Sequence, residues 1–311
     1  MVARLAREGR RETRAEVQRW IDRGRVLVDG APLRASVKIA PGARVEVHPE
    51  PPPATSAAPD ASVTFEVLHE DAHLIVLDKP AGLVVHPARG HEGKTLVNGL
   101  LARGGFERAG EGELDPEGHL RPGIVHRLDK GTSGLLVVAK DARTREALKA
   151  QFAAHSIERE YLAVAAGAVK DATFDTLHAR HPTDRLRFTS RVDAGRRAVT
   201  HVRALEVLGG ATLVACRLET GRTHQIRVHL AERAGAPILG DPLYGRPPKD
   251  PALRAAGEAL GRQALHARVL GFEHPATGKS VRWESPLPAD IEACIASLRA
   301  PGSRGARGSR R

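Results

Sequence analysis

Short apolar runs bounded by turn residues recur along most of the chain. The runs Leu74–Leu77 and Leu135–Ala139 have the length and the branched side chains that are typical of buried strands. Residues 200–208 and 211–219 form two further strand-like segments with only a pair of glycines between them, which predicts a hairpin. The sequence therefore predicts a sheet made in part of antiparallel neighbours.

Helices are predicted where apolar residues recur at helical spacing. Ala147, Leu148 and Phe152 show this spacing, and so do the apolar positions of residues 291–298. Hairpins interspersed with helices favour the α+β class over a regularly alternating parallel fold.

Residues 1–50 show a different pattern, a helix followed by short strands. Thr13 and Glu16 have the spacing of a capping box, and Gly24 follows the apolar helical positions as a helix end. Tight turns separate short apolar runs around Val26–Val28 and Val45–Val47. The helix and its exit carry arginines outside the apolar stripe, at Arg14, Arg19, Arg23 and Arg25.

Composition marks the boundaries between these patterns. Residues 51–62 read PPPATSAAPDAS, which cannot bury a core and predicts a linker. It separates a module at 1–50 from a larger domain at 63–298. Residues 299–311 contain five arginines and no acid, and we expect a disordered basic tail there.

The formal net charge of +11 favours a polyanionic partner such as nucleic acid. Aromatic residues make up only 3% of the chain, which argues against RNA binding chiefly by base stacking. No apolar run is long enough for a membrane helix, and no signal-like segment is seen. Because Cys216 and Cys294 suggest neither a disulfide framework nor a zinc site, we expect a cytoplasmic protein.

The segment at residues 121–134, RPGIVHRLDKGTSG, carries the clearest chemical signal. It places Asp129 in a polar, glycine-punctuated loop that leads into an apolar strand, and a strand can hold a catalytic group in place. The loop alone is equally consistent with a surface carboxylate in an ordinary salt bridge.

HRLDKGTSG resembles the signature of the RluA/RluD family of pseudouridine synthases, which reads HRLD, two variable residues and TSG. Further segments follow in the family's order and together span nearly all of residues 65–288: HEDAHLIVLDKPAGLVVHP at 69–87, REYL at 159–162, LETGRTHQIRVHL at 218–230, GDPLYG at 240–245, LHA at 265–267 and HP at 274–275. Residues 1–50 resemble the S-four-type RNA-binding domain, and this makes Arg14, Arg19, Arg23 and Arg25 candidate RNA contacts.

The resemblance implies an α+β fold. Its catalytic domain is a mostly antiparallel mixed β-sheet flanked by helices and loops, preceded by a small αL-type RNA-binding domain. It implies an isomerase that turns uridines of structured RNA into pseudouridine, acts as a monomer, and needs no cofactor and no metal. The match is nearest to enzymes of large-subunit ribosomal RNA, while a transfer-RNA target stays open.

The resemblance also assigns site residues. Asp129 becomes the catalytic carboxylate, Arg227 its ion-pair partner, and Tyr161 the ring that stacks on the target uracil. Arg127 is the candidate wedge that fills the space left by the flipped base, and its competing role is that of a phosphate clamp. The remaining candidate RNA contacts in the catalytic domain are His126, Arg222, His224 and Gln225. We expect the glycines of these segments, among them Gly221, to adopt turn conformations.

Two other classes of function remain. A non-catalytic RNA-binding factor of ribosome assembly fits the basic N-terminal module. A hydrolase with paired carboxylates needs a second acid beside Asp129, and Asp71, Asp78 and Asp241 are the candidates. Whether the carboxylate attacks the sugar, attacks the base or promotes elimination is left open by the residues.

Overall fold

The computed structural model describes residues 14–34, 37, 39–48, 58–86, 93–106 and 123–299. They fall into two compact units, one in the N-terminal residues up to 48 and one from residue 58 onward.

The N-terminal unit is one helix packed on a small antiparallel sheet of order β2-β1-β3. Its core consists of Val17, Trp20, Val26 and Leu33. The helix ends before Gly24, whose φ is 67°, as its position in the sequence predicts. The capping pair predicted for this helix includes Thr13, which lies outside the described residues. The elements are α1 (Arg14–Asp22), β1 (Val26–Val28), β2 (Ala31–Pro32) and β3 (Val45–Val47).

The larger unit is a sheet with helices at its faces and edges. Its strands are β4 (Glu66–Glu70), β5 (Leu74–Lys79), β6 (Ser133–Ala139), β7 (Glu158–Ala165), β8 (Ala172–Arg180), β9 (Phe188–Thr189), β10 (Arg196–Leu208), β11 (Ala211–Leu218), β12 (Leu265–Glu273) and β13 (Ser280–Glu284). Its helices are α2 (Leu96–Arg103), α3 (Ala142–Ala153), α4 (Gln225–Glu232), α5 (Pro251–Leu260) and α6 (Ala289–Arg299).

The strand order is β4-β5-β6-β12-β7-β11-β10-β8-β9, and β13 pairs with β12. Among the described strands only β6 and β12 run parallel; the other pairs are antiparallel. Every residue of β6 is buried, because this central strand is covered on both faces and its apolar run is continuous rather than alternating. The predicted α+β fold with a mostly antiparallel mixed sheet is confirmed.

The predicted hairpin is also confirmed, since Leu208 of β10 pairs with Ala211 of β11 across the two glycines. Residues 58–62 of the predicted linker contact α2, where the side chain of Asn98 donates to the carbonyl of Ala58 at 2.8 Å. Arg299 is the last residue of α6 and pairs with Glu206; the rest of the predicted tail lies outside the described residues. Within the described ranges no helix has the length and apolar character to cross a membrane.

Candidate active site

The loop between residues 123 and 133 positions Asp129 at the start of β6. Gly123 has a φ of 65°, and a Cβ at this position would lie 1.7 Å from the carbonyl oxygen of Ala139. A side chain is therefore excluded where the loop passes over the end of β6. Further on, the amide of Thr132 donates to the carbonyl of Asp129 at 3.0 Å. The sequence folds here into a tight turn that fixes the carboxylate-bearing residue.

Asp129 forms an ion pair with Arg227, which belongs to α4. Arg227 Nη1 donates to Asp129 Oδ2 at 2.8 Å. The other edge of the same guanidinium binds Asp241, with Nε to Oδ2 at 2.7 Å and Nη2 to Oδ1 at 2.9 Å. The side chains of Arg227 and Asp241 are 4% and 0% exposed, whereas that of Asp129 is 18% exposed. Only the Asp129 carboxylate thus reaches the solvent side of this triad.

The charges of the triad stabilise one another in spite of burial. Burial alone would lower the pKa of Arg227, but the hydrogen bonds and charges of Asp241 and Asp129 outweigh it and raise the pKa. Burial would likewise raise the pKa of Asp241, and the bond to Arg227 outweighs it and lowers the pKa. Arg227 is therefore a permanent cation that Asp241 holds against Asp129.

Tyr161 lies on β7 with its ring in the core of the larger unit and 8% of the residue exposed. Burial raises the pKa of its hydroxyl, an effect that the charge of Arg159 opposes. Among the residues that the structure describes, the hydroxyl has no hydrogen-bond partner, although Tyr161 lines the same cavity as Asp129. The ring is thus fixed by the core while its polar end stays available.

His224 is oriented by Tyr244, a residue that the sequence did not single out. The Tyr244 hydroxyl accepts a hydrogen bond from the amide of Phe188 at 2.8 Å, and it is hydrogen-bonded to Nδ1 of His224 at 2.9 Å. Nε2, the other ring nitrogen of His224, lies 3.9 Å from Oδ1 of Asp129. Burial lowers the pKa of His224. The lowered pKa favours a neutral imidazole, and its ring faces the cavity.

The cavity around Asp129 has a volume of about 760 Å³. Asp129 is the sole carboxylate among the described residues that line it, and five arginines share the lining: Arg127, Arg159, Arg196, Arg222 and Arg227. A cavity of this size and charge suits a flipped nucleotide and its phosphates.

The structure brings all the predicted catalytic-domain residues to this cavity, although they differ in how free their polar atoms are. Arg127 is exposed and makes no ion pair to a residue described here. Arg222 uses Nε to donate to the carbonyl of Arg197 at 3.0 Å, which leaves its terminal nitrogens for other partners.

His126 and Gln225 are engaged within the protein. Nε2 of His126 accepts from the amide of Val137 at 3.0 Å, and burial lowers its pKa to about 3. The amide of Gln225 donates to the Val199 carbonyl and the Thr200 hydroxyl. Its oxygen accepts two further bonds, from a threonine hydroxyl and a backbone amide. An RNA contact by Gln225 would have to displace one of these four bonds.

The four predicted arginines of the N-terminal unit belong to α1 and its exit. The side chains of Arg14 and Arg19 lie outside the described residues. Arg23 and Arg25 are exposed.

One group of the described residues has the composition of a metal site: His69, Asp71 and His274, whose ligand atoms lie within 4.8 Å of one another. It lies outside the cavity lining. Nε2 of His274 donates to Asp71 at 2.8 Å, while its Nδ1 accepts from the amides of Ala276 and Thr277. Because the proton on Nε2 is fixed by these amides, the nitrogen has no lone pair for a metal, and the group closes a turn.

The mixed sheet, together with an aspartate–arginine pair in a cation-lined cavity, defines an RNA-modifying enzyme of the pseudouridine synthase class. The family model described as RNA pseudouridylate synthase matches residues 73–232. The model of the S4 domain matches residues 3–45. The chain therefore belongs to the RNA pseudouridylate synthase family, and it is an isomerase with an N-terminal S4 domain.

Individual relatives agree with this assignment. The chain is 44% identical to "Ribosomal large subunit pseudouridine synthase D" of Xanthomonas campestris pv. campestris, over 96% of this chain and 88% of the relative. It is 44% identical to "Uncharacterized RNA pseudouridine synthase YlyB" of Bacillus subtilis, over 93% and 91% of the two chains. The solved structure "Human RNA Pseudouridylate Synthase Domain Containing 4" matches with a TM-score of 0.56 and 25% identity, covering 75% of this chain and 93% of that one.

Proposed function

We propose that this protein converts specific uridines of large-subunit ribosomal RNA into pseudouridine, with Asp129 as the catalytic carboxylate. The observation that carries the proposal is the 2.8 Å ion pair between Asp129 and Arg227 at the wall of the cavity. The relatives named for the large ribosomal subunit support the choice of RNA.

The reaction detaches uracil from its sugar, turns the base and rejoins it through carbon 5. It needs no external electron or group donor, so the side chains of the cavity suffice. Oδ2 of Asp129 accepts a hydrogen bond from Arg227, whereas Oδ1 accepts none from a described residue. Oδ1 is therefore the oxygen available to act as nucleophile or base. The geometry is compatible with attack on the sugar, attack on the base, and elimination.

The other cavity residues bind and orient the flipped base. A base leaves its stack at a cost of a few kcal/mol, and this cost is smallest in loops. The exposed side chain of Arg127 fills the vacated space, the ring of Tyr161 stacks on the uracil, and the imidazole of His224 forms a hydrogen bond with it.

The S4 domain at 1–50 adds affinity for the same RNA through its arginines, and the linker at 51–62 allows it to fold separately from the catalytic domain at 63–298. In this proposal the enzyme acts as a monomer. The substrate places the enzyme in the cytoplasm, and the basic tail at 299–311 contributes non-specific attraction to RNA.

The test is pseudouridine mapping of ribosomal and transfer RNA from a deletion strain that is complemented with the wild-type gene or with Asp129→Asn. The wild-type gene restores defined sites in large-subunit RNA, and Asp129→Asn restores none although the protein binds RNA. Asp175→Asn is the matched control, because Asp175 forms an ion pair with Arg197 away from the cavity lining; it restores all sites.

The mapping also decides between the alternatives. Sites restored only in transfer RNA reject the ribosomal substrate, and restoration by Asp129→Asn rejects the assigned carboxylate. A non-catalytic assembly factor restores no pseudouridine with any variant. A hydrolase releases free uracil, whereas isomerisation leaves the RNA mass unchanged. A hydrolase would also need a second carboxylate at the cavity, and the described lining holds none, since the side chain of Asp241 is fully buried against Arg227.

A further inference from the structure

Arg159 of β7 is a buried cation at the wall of the cavity. Only 6% of the residue is exposed, although it lines the cavity. Its Nη2 donates to the carbonyl oxygen of Glu219 at 2.7 Å, and its guanidinium carbon lies 5.2 Å from the centre of the Phe152 ring. Its Nε is buried and has no hydrogen-bond partner among the described residues. The guanidinium thus has unused donors beside the substrate site.

The protein supplies no counter-charge for this guanidinium within the described ranges. The carboxylate of Glu219, whose carbonyl accepts from Arg159, is paired instead with Arg197 and His201. Burial lowers the pKa of Arg159, and only the weak influence of Tyr161 opposes it. A buried charge without an opposite charge is unfavourable. Such a residue is expected where a ligand brings the missing negative charge.

Two further arginines stand next to Arg159. Arg222 and Arg196 line both the catalytic cavity and a second cavity of about 350 Å³ that shares part of its wall. Burial lowers the pKa of Arg222, and the charges of Arg196 and Arg159 lower it further. Arg222 is therefore close enough to both other cations to be repelled by them at the junction of the two cavities.

Gly221 leaves space for this cluster. A Cβ on Gly221 would lie 2.7 Å from Nη1 of Arg159, and the φ of this glycine is not in the left-handed region. A side chain at this position would displace the guanidinium that passes close to the backbone, whereas the turn conformation that the sequence predicts is not observed. The opening beside Nη1 is thereby part of the local fold.

We propose that Arg159, Arg222 and Arg196 bind the phosphate that joins the target uridine to a neighbouring nucleotide. The inference rests on the proposed function and names a subsite of the same active site. With the uracil in the larger cavity and the neighbouring nucleoside in the smaller one, the connecting phosphodiester falls at the cation cluster. The planar, desolvated donors of a guanidinium match two phosphate oxygens.

The first test is Arg159→Met, which keeps the unbranched apolar stem of the side chain and removes the charged end of the guanidinium. Because Arg159 has no described counter-charge in the RNA-free protein, we expect the urea midpoint of the variant to equal or exceed that of the wild type. The affinity for a stem-loop of large-subunit RNA that contains the mapped uridine falls about tenfold, and the slope of log K against log salt decreases by about 0.7. Arg268→Met is the matched control, since Arg268 is paired with Glu284 and Glu160 outside the cavity lining; it binds as the wild type.

The second test locates the phosphate. Single methylphosphonate substitutions, which remove the charge of one phosphate, are placed in turn on both sides of the target uridine. One position weakens binding by the wild type, and the same position weakens binding by Arg159→Met less, because Arg222 and Arg196 remain. A subsite occupied by the phosphate requires this reduced sensitivity at one position, whereas a residue that only supports Tyr161 leaves the sensitivity of every position intact.

The outcomes for the subsite and for the proposed function are separable. Release of tritium from 5-tritiated uridine in the wild-type reaction reports on the function alone. If the wild type is active but Arg159→Met binds all substituted RNAs with the wild-type pattern, the phosphate subsite is refuted and the function stands. If the wild type neither binds nor modifies the RNA, both proposals fall.

Discussion

Asp241→Asn is the most informative perturbation of the site, because it changes one buried oxygen without touching the cavity. Oδ1 of Asp241 accepts from Arg227 Nη2 and from the amides of Leu243 and Tyr244, and Oδ2 accepts from Arg227 Nε. Asparagine keeps one oxygen and directs an NH₂ group at the Nε–H of Arg227. Arg227 then has its only carboxylate partner in Asp129.

The expected loss of stability follows from burial. Removing one partner of a buried ion pair costs about 3–5 kcal/mol, and here the Asp241 side chain is 0% exposed and that of Arg227 4% exposed. Domains are stable by about 5–15 kcal/mol, so this loss is a large part of the total, and urea unfolding shows whether the variant is folded under the conditions of the activity assay. Catalysis suffers because the guanidinium no longer fixes Asp129, and a displacement of about 1 Å costs on the order of 100-fold in rate.

The assay combines urea unfolding with tritium release at saturating and subsaturating RNA. We expect kcat to fall strongly while KM changes little, because the variant alters no residue that touches RNA. Asp175→Asn is the control, since Arg197 also holds Asp175 through Nε and Nη2, at 3.0 and 2.7 Å, but both side chains are about half exposed. Exposed pairs contribute little. Equal losses of stability in the two variants would refute the argument from burial.

Three further predictions concern pH, the tyrosine and the RNA-binding unit. Burial lowers the pKa of His126 to about 3 and of His229 to about 4. Below pH 6.5 the unfolded chain, in which these histidines have pKa values of about 6.5, binds more protons than the folded protein. The free energy of unfolding is therefore full above pH 6.5 and falls by up to about 1.4 kcal/mol per pH unit for each histidine down to about pH 4. A flat profile between pH 7.5 and 5 contradicts this. Tyr161→Phe keeps the ring and removes a hydroxyl without a described partner, so stability and RNA affinity in filter binding are retained; a large loss of either shows that the hydroxyl supports the fold. Removing residues 1–50 weakens RNA binding and reduces its salt dependence while residues 63–298 stay folded by circular dichroism, and an unfolded truncation shows that the two units depend on each other.

Local patterns in the sequence predicted the elements on which the site stands. The continuous apolar run of β6 predicted a buried strand, since a strand covered on both faces has no polar alternation. The pair of glycines after Leu208 predicted the hairpin for a similarly local reason. The ordered motifs predicted the family, and with it Asp129, Tyr161 and Arg227 as candidates for one site.

The sequence by itself thus determined the class of fold and the family, and it predicted candidate residues for one site, because each depends on neighbours in the chain or on a motif. Only the tertiary structure decided which groups meet across the sheet. Asp241 binds Arg227, Tyr244 orients His224, and Arg159 lies buried without a described counter-charge. These relations depend on strand order, burial and distances of a few ångström between segments remote in sequence, and no local pattern encodes them.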